Sequence, residues 1–350
     1  QNQDQTVFVS PSSVAIALAM TYNGASGNTQ QAMAKALELQ GMSLAEVNQA
    51  NAALRSALEN PGKNVQLSIA NSLWARQGVE FKPDFLQNNQ QFYSAEITDL
   101  DFGSPQAATQ INDWVRQKTQ GKIRQIVDQL KPDDVLFLVN AIYFKGDWTN
   151  EFDKRETTNK PFYRTNGTSK TLPLMSRTGD YRYYETEQFQ AVSLPYGDRR
   201  MSLYVFLPKS KSTLAKFTKA LTPENWQTWM QQFRMRSGTV QIPRFTLEYD
   251  VELKNTLSAL GMDIAFDPRR ASFDRLSTTP MKIDQVKHKT FIEVNEKGTE
   301  AAAVTSVGIV TTSVRVDTPF KMTVDRPFFC AIRDNRTGTL LFLGTIVEPK

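Results

Sequence analysis

Hydrophobic residues form unbroken runs in the second half of the chain. Residues 135–144 read VLFLVNAIYF, with the amide of Asn140 in the middle of the run. A short apolar run rich in β-branched and aromatic residues is typical of a strand buried on both faces. Similar runs at residues 201–207, 239–247, 281–294, 328–332 and 340–346 predict further strands. The second half of the chain is therefore predicted to be mostly sheet.

The first half carries the signals of helices. Ser10-Pro11 places a hydroxyl cap before a proline and predicts a helix over residues 13–22, with Asn23-Gly24 as a left-handed stop. Ser43 and Glu46 have the spacing of a capping box that opens a later helix. Helices first and strands later, without a regular β-α-β alternation, indicate an α+β fold in one domain.

Two segments of the strand-rich half carry other signals. Residues 250–260 have a helical pattern, and residues 334–338 (DNRTG) predict a hairpin turn between two strands. Residues 296–316 read EKGTEAAAVTSVGIVTTSVRV, and no ionisable side chain occurs from Ala301 to Val314. β-Branched residues favour a strand there, yet the small and hydroxylated residues give little bulk for a core. The pattern fits either an ordinary strand joined to a loop, or a segment exposed at one time and buried at another.

Composition excludes several kinds of site. The 350 residues are 40% hydrophobic and 22% charged, with a net charge of +5 spread thinly along the chain. No nucleic-acid partner is expected, and no apolar run reaches the ~20 residues that span a membrane. Cys330 and His288 are the single cysteine and the single histidine. Disulfides within the chain and thiol- or histidine-rich metal sites are excluded, and no metal or other cofactor is expected.

The enzyme motifs with a known mechanism are absent as well. The chain has no G-x-S-x-G elbow, no phosphate-binding G-x-x-x-x-G-K-[ST] and no G-x-G-x-x-G. His288 would have to serve any Ser-His-Asp or Cys-His site. A hydrolase that uses His288 stays open as an alternative, and replacing His288 should then abolish turnover.

Several motifs, in order along nearly the whole chain, resemble those of the serpins. They are residues 8–13 (FVSPSS), 111–115 with 119–123 (INDWV and TQGKI), 139–148 (VNAIYFKGDW), 296–303 (EKGTEAAA) and 324–329 (VDRPFF). The resemblance implies a single domain over residues 1–350 with three β-sheets, eight or nine helices and a mobile reactive-centre loop at residues 296–316. It also implies a suicide inhibitor of serine proteases rather than an enzyme. A protease cleaves the loop, and the loop then inserts into the central sheet and traps the acyl-enzyme.

The loop fits this mechanism residue by residue. In a strand, alternate side chains point to opposite faces, and Glu300 falls in the set opposite to Ala301 and Ala303. The set that contains Ala301 and Ala303 can therefore be buried without desolvating a charge. The resemblance assigns the hinge to Glu296, Gly298, Thr299, Glu300, Ala301, Ala302 and Ala303.

The family places the scissile bond after the seventeenth residue of the loop. Counting from Glu296, this residue is Thr312, so the predicted bond is Thr312–Ser313. A β-branched residue there favours an elastase-like or subtilisin-like protease. Arg315 is the rival position and favours a trypsin-like protease, with an arm three residues longer and more substrate turnover than trapping.

Two more regions follow from the resemblance. Ser10, Ser13, Asn140 and His288 resemble the shutter beneath the central sheet, and a satisfied core histidine without a mechanical role is the alternative. Trp148 resembles the aromatic residue of the breach, where the loop first inserts, and a plain core tryptophan is the alternative.

The chain departs from the family in two respects. The family's first helix is not found upstream of Gln5, and the third helix carries Arg55 without the basic cluster that would bind a glycosaminoglycan. A monomer is expected. The compartment stays unknown, with an extracellular or secreted location preferred. A non-inhibitory serpin that acts as a carrier or chaperone is the first alternative, ahead of the hydrolase, although such members tend to have bulky or charged hinge residues.

Overall fold

The structure is a computed structural model, and it describes residues 5–299 and 318–350. The helices in these residues are α1 (Pro11–Tyr22), α2 (Gly27–Ala36), α3 (Leu44–Glu59), α4 (Pro83–Tyr93), α5 (Ala107–Lys118), α6 (Leu214–Ala220), α7 (Pro223–Gln232) and α8 (Lys254–Leu257). The first strands are β1 (Val7–Val9), β2 (Val65–Arg76), β3 (Glu96–Leu100), β4 (Leu136–Asp147), β5 (Thr158–Tyr163), β6 (Ser169–Glu185), β7 (Phe189–Pro195) and β8 (Met201–Pro208). The remaining strands are β9 (Arg234–Pro243), β10 (Phe245–Glu252), β11 (Gln285–Val294), β12 (Gly298–Thr299), β13 (Phe320–Thr323), β14 (Phe328–Asp334) and β15 (Leu340–Ile346).

The described strands form two hydrogen-bonded sheets. The six-stranded sheet has the order β10-β11-β4-β2-β3, and β12 pairs with one end of β4. The other nine strands form the second sheet, in which β6 pairs with β5, β7 and β9. The resemblance predicts three sheets; the strands instead join into two because the 17-residue β6 runs from one group of strands into the next. The α+β prediction is confirmed, with eight α-helices among the described residues.

Strand β4 is the buried centre of the six-stranded sheet, as its apolar run predicts. Ten of its twelve residues are buried, and only Lys145 and Asp147 are partly exposed. Phe137, Val139 and Ala141 pack with helix α5 on the front face. The intervening residues face the opposite side, where Ile142 and Phe144 belong to the largest hydrophobic cluster. Both faces of the sheet are therefore covered at β4.

Helix α1 begins as its sequence predicts but ends differently. The Ser10 hydroxyl accepts a hydrogen bond from the backbone N–H of Ser13, and the capping box of Ser43 and Glu46 is also present. Asn23, however, is right-handed (φ −59°), so a left-handed stop is wrong. Gly24 has a packing role instead, since a Cβ there would lie 2.6 Å from the Cβ of Leu276.

The predicted helix at residues 250–260 is wrong at its start and confirmed over the rest. β10 continues to Glu252 and pairs with β11, with Val251 opposite His288, and the chain is helical from Lys254 through Leu260, first as α8 and then as a π-helical turn. Pairing in the sheet overrides the local helical pattern because it gives each backbone group a partner and buries one face. The predicted strand at residues 239–247 is two strands, because the chain passes from one sheet to the other at Arg244.

No helix in the described part of the chain is long and apolar enough to cross a membrane. Within residues 5–299 and 318–350, His, Cys, Asp and Glu side chains form no cluster of three that could hold a metal ion.

Candidate functional site

A tight turn connects β11 to β12 at the open end of the six-stranded sheet. The Asn295 N–H donates to the Gly298 carbonyl at 2.8 Å, and the Asn295 side-chain oxygen accepts the N–H groups of Lys297 and Gly298. The turn sends β12 back antiparallel to β4, with Gly298 opposite Asp147 and Thr299 opposite Gly146. The first residues of the predicted hinge therefore already pair with the central strand.

Gly298 is required by this geometry. Its φ is +147°, and a Cβ there would lie 2.1 Å from the Gly146 carbonyl oxygen. Any side chain would push β12 away from β4, because a Cβ atom cannot approach a carbonyl oxygen this closely.

Glu296 is buried beneath the same turn, with 4% of its surface exposed. Its Oε1 accepts a hydrogen bond from the Thr157 hydroxyl at 2.9 Å and lies 3.5 Å from Nη1 of Arg244. The Glu296 carbonyl accepts from the Phe152 N–H at 2.7 Å. A buried carboxylate is tolerated only with such partners, so these contacts fix the position of Glu296, the first residue of the predicted hinge.

Trp148 lies directly under the turn. Its indole stacks on Tyr196 with ring centroids 4.3 Å apart, and its Nε1–H donates to the Asn295 carbonyl at 2.9 Å. Its backbone N–H donates to the Lys297 carbonyl at 2.7 Å. The predicted breach residue is thus in contact with the hinge, and its role in loop entry stays a prediction.

Between β4 and β11 lies a parallel ladder, from Phe137 opposite Gln285 to Tyr143 opposite Phe291. We call this ladder the β4–β11 seam. Beyond Tyr143, the edge of β4 that faces β11 pairs with β12 instead, at Gly146 and Asp147. The described part of the predicted hinge, Gly298 and Thr299, therefore pairs with β4 where the seam ends.

A buried polar cluster crosses the seam, and the structure brings all four predicted shutter residues into it. We call it the central polar cluster; its members are Ser10, Ser13, Asn71, Asn140 and His288. Asn140 lies opposite Asn71 on β2 and opposite His288 on β11. Its Nδ2 donates to the Ser13 hydroxyl at 2.5 Å and to the side-chain oxygen of Asn71. The cluster thus joins three strands to α1.

The hydrogen bonds of His288 determine its tautomer. The Ser10 N–H donates to Nε2 at 3.0 Å, so Nε2 carries no proton, and Nδ1–H donates to Asn140 Oδ1 at 2.5 Å. Burial lowers the pKa of His288 from 6.5 to about 4, and the hydrogen bond with Asn140 partly offsets this. A proton on Nε2 would point at the Ser10 N–H, so that two donors would face each other. The cluster therefore holds a neutral imidazole.

The remaining predicted site residues lie outside the described residues. They are Glu300, Ala301, Ala302 and Ala303 of the hinge, the bond Thr312–Ser313 and its rival Arg315. Cys330 is buried, and burial raises the pKa of its thiol to about 12, which agrees with a packing role.

Sequence reasoning missed Asn71, Thr157, Arg244 and Asn295. Asn71 had a usable signal, because an amide within the strand-like run VQLSIANSLW needs a buried partner. The partners of Glu296 had none, since Thr157 and Arg244 are distant in the sequence and meet it only through the fold.

The pH dependence of stability tests the neutral state of His288. The unfolded chain takes up a proton near pH 6.5 and the folded chain near pH 4. The contribution of His288 to the free energy of unfolding is therefore complete above pH 6.5. It falls by about 3 kcal/mol as the pH is lowered towards 4. Because His288 is the single histidine, one imidazole NMR signal reports its titration. We expect no midpoint between pH 8 and 5; a midpoint near 6.5 would contradict the cluster.

Comparisons with known proteins agree with this geometry. Residues 1–349 match the family model described as Serpin (serine protease inhibitor). Human Serpin B8 is 36% identical, with 100% of this chain and 94% of that protein covered, and human leukocyte elastase inhibitor is 34% identical, with 99% and 94% covered. Among solved structures, the thermophilic serpin tengpin in its native state has a TM-score of 0.91 at 32% identity, covering 99% of this chain and 90% of that one. Thyroxine-binding globulin in complex with thyroxine has a TM-score of 0.90 at 27% identity, covering 100% and 94%. The family match over almost the whole chain, together with these relatives, shows that the chain belongs to the serpin family.

Proposed function

We propose that the chain is a suicide-substrate inhibitor of serine proteases. A protease cleaves the loop at residues 296–316, forms an acyl-enzyme and is trapped when the loop inserts into the six-stranded sheet. The observation that carries this proposal is β12, which is antiparallel to β4 where the seam ends. Because β12 leads directly into the loop, insertion would only extend a strand pairing that already exists.

The register of β12 gives the inserted arm a defined length. Continued one residue at a time from Gly298 opposite Asp147, it would put residue 309 opposite Leu136, the first residue of β4. The arm from Thr299 would thus follow β4 to its beginning. Its end at Thr312 would lie beyond the sheet, roughly 45 Å from the start of the arm. A protease joined to Thr312 would be carried to that end of the sheet.

The same register explains the small residues of the hinge. Ala301 would lie opposite Phe144 and Ala303 opposite Ile142, both fully buried in the core behind the sheet. A bulky or charged side chain at either position would have to enter a close-packed core. Glu300 would lie opposite Lys145 on the other face, where opposite charges across two strands attract each other.

Insertion would also open the central polar cluster. The arm would separate Asn140 from His288 and bring Thr305 opposite Asn140. The Thr305 hydroxyl can both donate and accept, so it can replace the bond between Asn140 and His288. The neutral cluster thus holds the seam closed without a buried charge that would be costly to rearrange.

The free energy of insertion comes from strand pairing. The arm would run opposite to both β4 and β11, so one parallel ladder is replaced by two antiparallel ones, which are slightly more stable per residue. Serpins are an established example of this strand addition and of the release of stored strain.

The predicted bond Thr312–Ser313 favours an elastase-like or subtilisin-like target, and leukocyte elastase inhibitor is among the relatives. Cleavage after Arg315 by a trypsin-like protease is the alternative. A carrier function, as in thyroxine-binding globulin, is the second candidate. The alanine-rich hinge argues against it, because a carrier does not need an arm that fits between two strands.

A protease panel tests the proposed function. The chain is mixed with an elastase-type, a subtilisin-type and a trypsin-type protease and run on denaturing gels. We expect a covalent complex with at least one of them, because the trapped acyl-enzyme is an ester that survives denaturation. Mass spectrometry of the released fragment should show a new terminus at Ser313, or at Val316 if Arg315 is used. Clean cleavage by all three proteases, without any complex, would rule out inhibition.

Exchanging two hinge residues tests the register. In the double variant Glu300→Ala and Ala301→Glu, the composition and charge of the loop are unchanged, but the carboxylate would face Phe144 in the core. We expect cleavage at the wild-type rate and loss of the covalent complex, because burying an unpaired carboxylate costs several kcal/mol. The single variant Glu300→Ala is the control and should still form the complex. Equal yields of complex from the double variant and the control would contradict this register.

A further inference from the structure

Side chains as well as backbone hold the end of the β4–β11 seam at Phe137 and Gln285, which we call its lower end. Asp284 immediately precedes β11, and its Oδ2 accepts the N–H groups of Val135 at 2.6 Å and Leu136 at 3.1 Å. The Asp284 N–H in turn donates to the Leu136 carbonyl at 3.0 Å. We call these three hydrogen bonds the Asp284 clamp. A single residue thus occupies both backbone groups of the first residue of β4.

A second contact crosses the seam beside the clamp. The Gln285 side chain donates to Oδ2 of Asp134 at 2.9 Å, and Lys282 pairs with the other carboxylate oxygen of Asp284. Asp284 and Asp134 are 8% and 7% exposed. Hydrogen bonds to a carboxylate are about twice as strong as those between neutral groups, so this end of the seam is held by more than the ladder alone.

The backbone of β4 turns alternately to its two neighbours. The Val135 carbonyl accepts from Arg76, which follows the β2 ladder, whereas Leu136 turns both its groups to Asp284. Because the backbone groups alternate along the strand, those of Gly146 point to the same side as those of Leu136, and Gly146 pairs there with Thr299. Residue 309 of an inserted arm would therefore need the same two groups of Leu136 that Asp284 now occupies.

We propose that the Asp284 clamp must open for the last step of insertion and sets how fast the arm reaches the end of β4. This proposal rests on the proposed function, because it assigns a role to Asp284 within loop insertion. The two strands can separate at the end of the seam next to β12 while the clamp stays closed. Only the final residue pairs of the arm compete with Asp284 for Leu136.

Two synthetic peptides distinguish these steps. One has the sequence of residues 299–306 and in the same register would end opposite Val139, short of the clamp; the other has residues 299–310 and would reach Leu136. Each is fluorescently labelled and incubated with the uncleaved protein, and uptake is followed by anisotropy and native electrophoresis. We expect Asp284→Asn to take up the long peptide roughly tenfold faster than wild type, because charge-assisted hydrogen bonds are lost. Uptake of the short peptide should be unchanged.

The matched control is Asp334→Asn. Asp334 is also buried and accepts a backbone N–H, from Arg336 at 2.9 Å, and it pairs with Arg200 in the other sheet. This variant loses a similar buried carboxylate away from the seam, so the ratio of long- to short-peptide rates should stay at the wild-type value. Should Asp284→Asn fail to fold, Gln285→Ala removes the second contact and should raise the ratio in the same direction.

The outcomes separate the clamp from the proposed function. A long-to-short ratio that rises in the Asp284 or Gln285 variant and not in Asp334→Asn supports the clamp. An unchanged ratio, with both peptides taken up, overturns the clamp and leaves insertion intact. If no variant, wild type included, takes up either peptide, insertion itself fails and the clamp fails with it.

Discussion

The parallel pairing of β4 with β11 is the constraint on which the rest of the structure depends. Both strands lie inside the sheet, between β10 on one side and β2 on the other, so a new strand can take a place between them only by separating them. A strand that returns from the end of β11 is antiparallel to both, and β12 already has that direction. The seam therefore defines where the loop could enter, which way it would run and how far it could extend.

Three groups of contacts hold the seam along its length. At the open end, Trp148 and the turn at Asn295 place the hinge against β4. In the middle, the bond from His288 to Asn140 joins the two strands inside a neutral buried cluster. At the lower end, Asp284 binds the first residue of β4. Each group satisfies buried polar atoms, and each would be rearranged in turn if the arm advanced.

The sequence predicts most of the elements that build this arrangement, because their signals are local. The run at residues 135–144, the Ser10 cap and the hairpin around Asn335 need no knowledge of distant residues. Residues 250–252 form the end of β10 and not the predicted start of a helix, because pairing with β11 overrides their helical pattern. The partners of Glu296 and Asp284 could not be predicted, since hydrogen bonds across 139 and 149 residues of sequence exist only after folding. The resemblance supplied the shutter residues and the hinge, whereas the seam register came from the structure.

Insertion of the loop between β4 and β11 is tested most directly by the unfolding temperature before and after loop cleavage. A protease that cuts within residues 308–316 without being trapped is used, the two fragments are verified by mass, and both forms are melted under identical conditions. Insertion into the seam predicts that the cleaved chain unfolds at a clearly higher temperature, because the freed arm pairs with β4 and β11. An unchanged or lower unfolding temperature would contradict insertion into the seam.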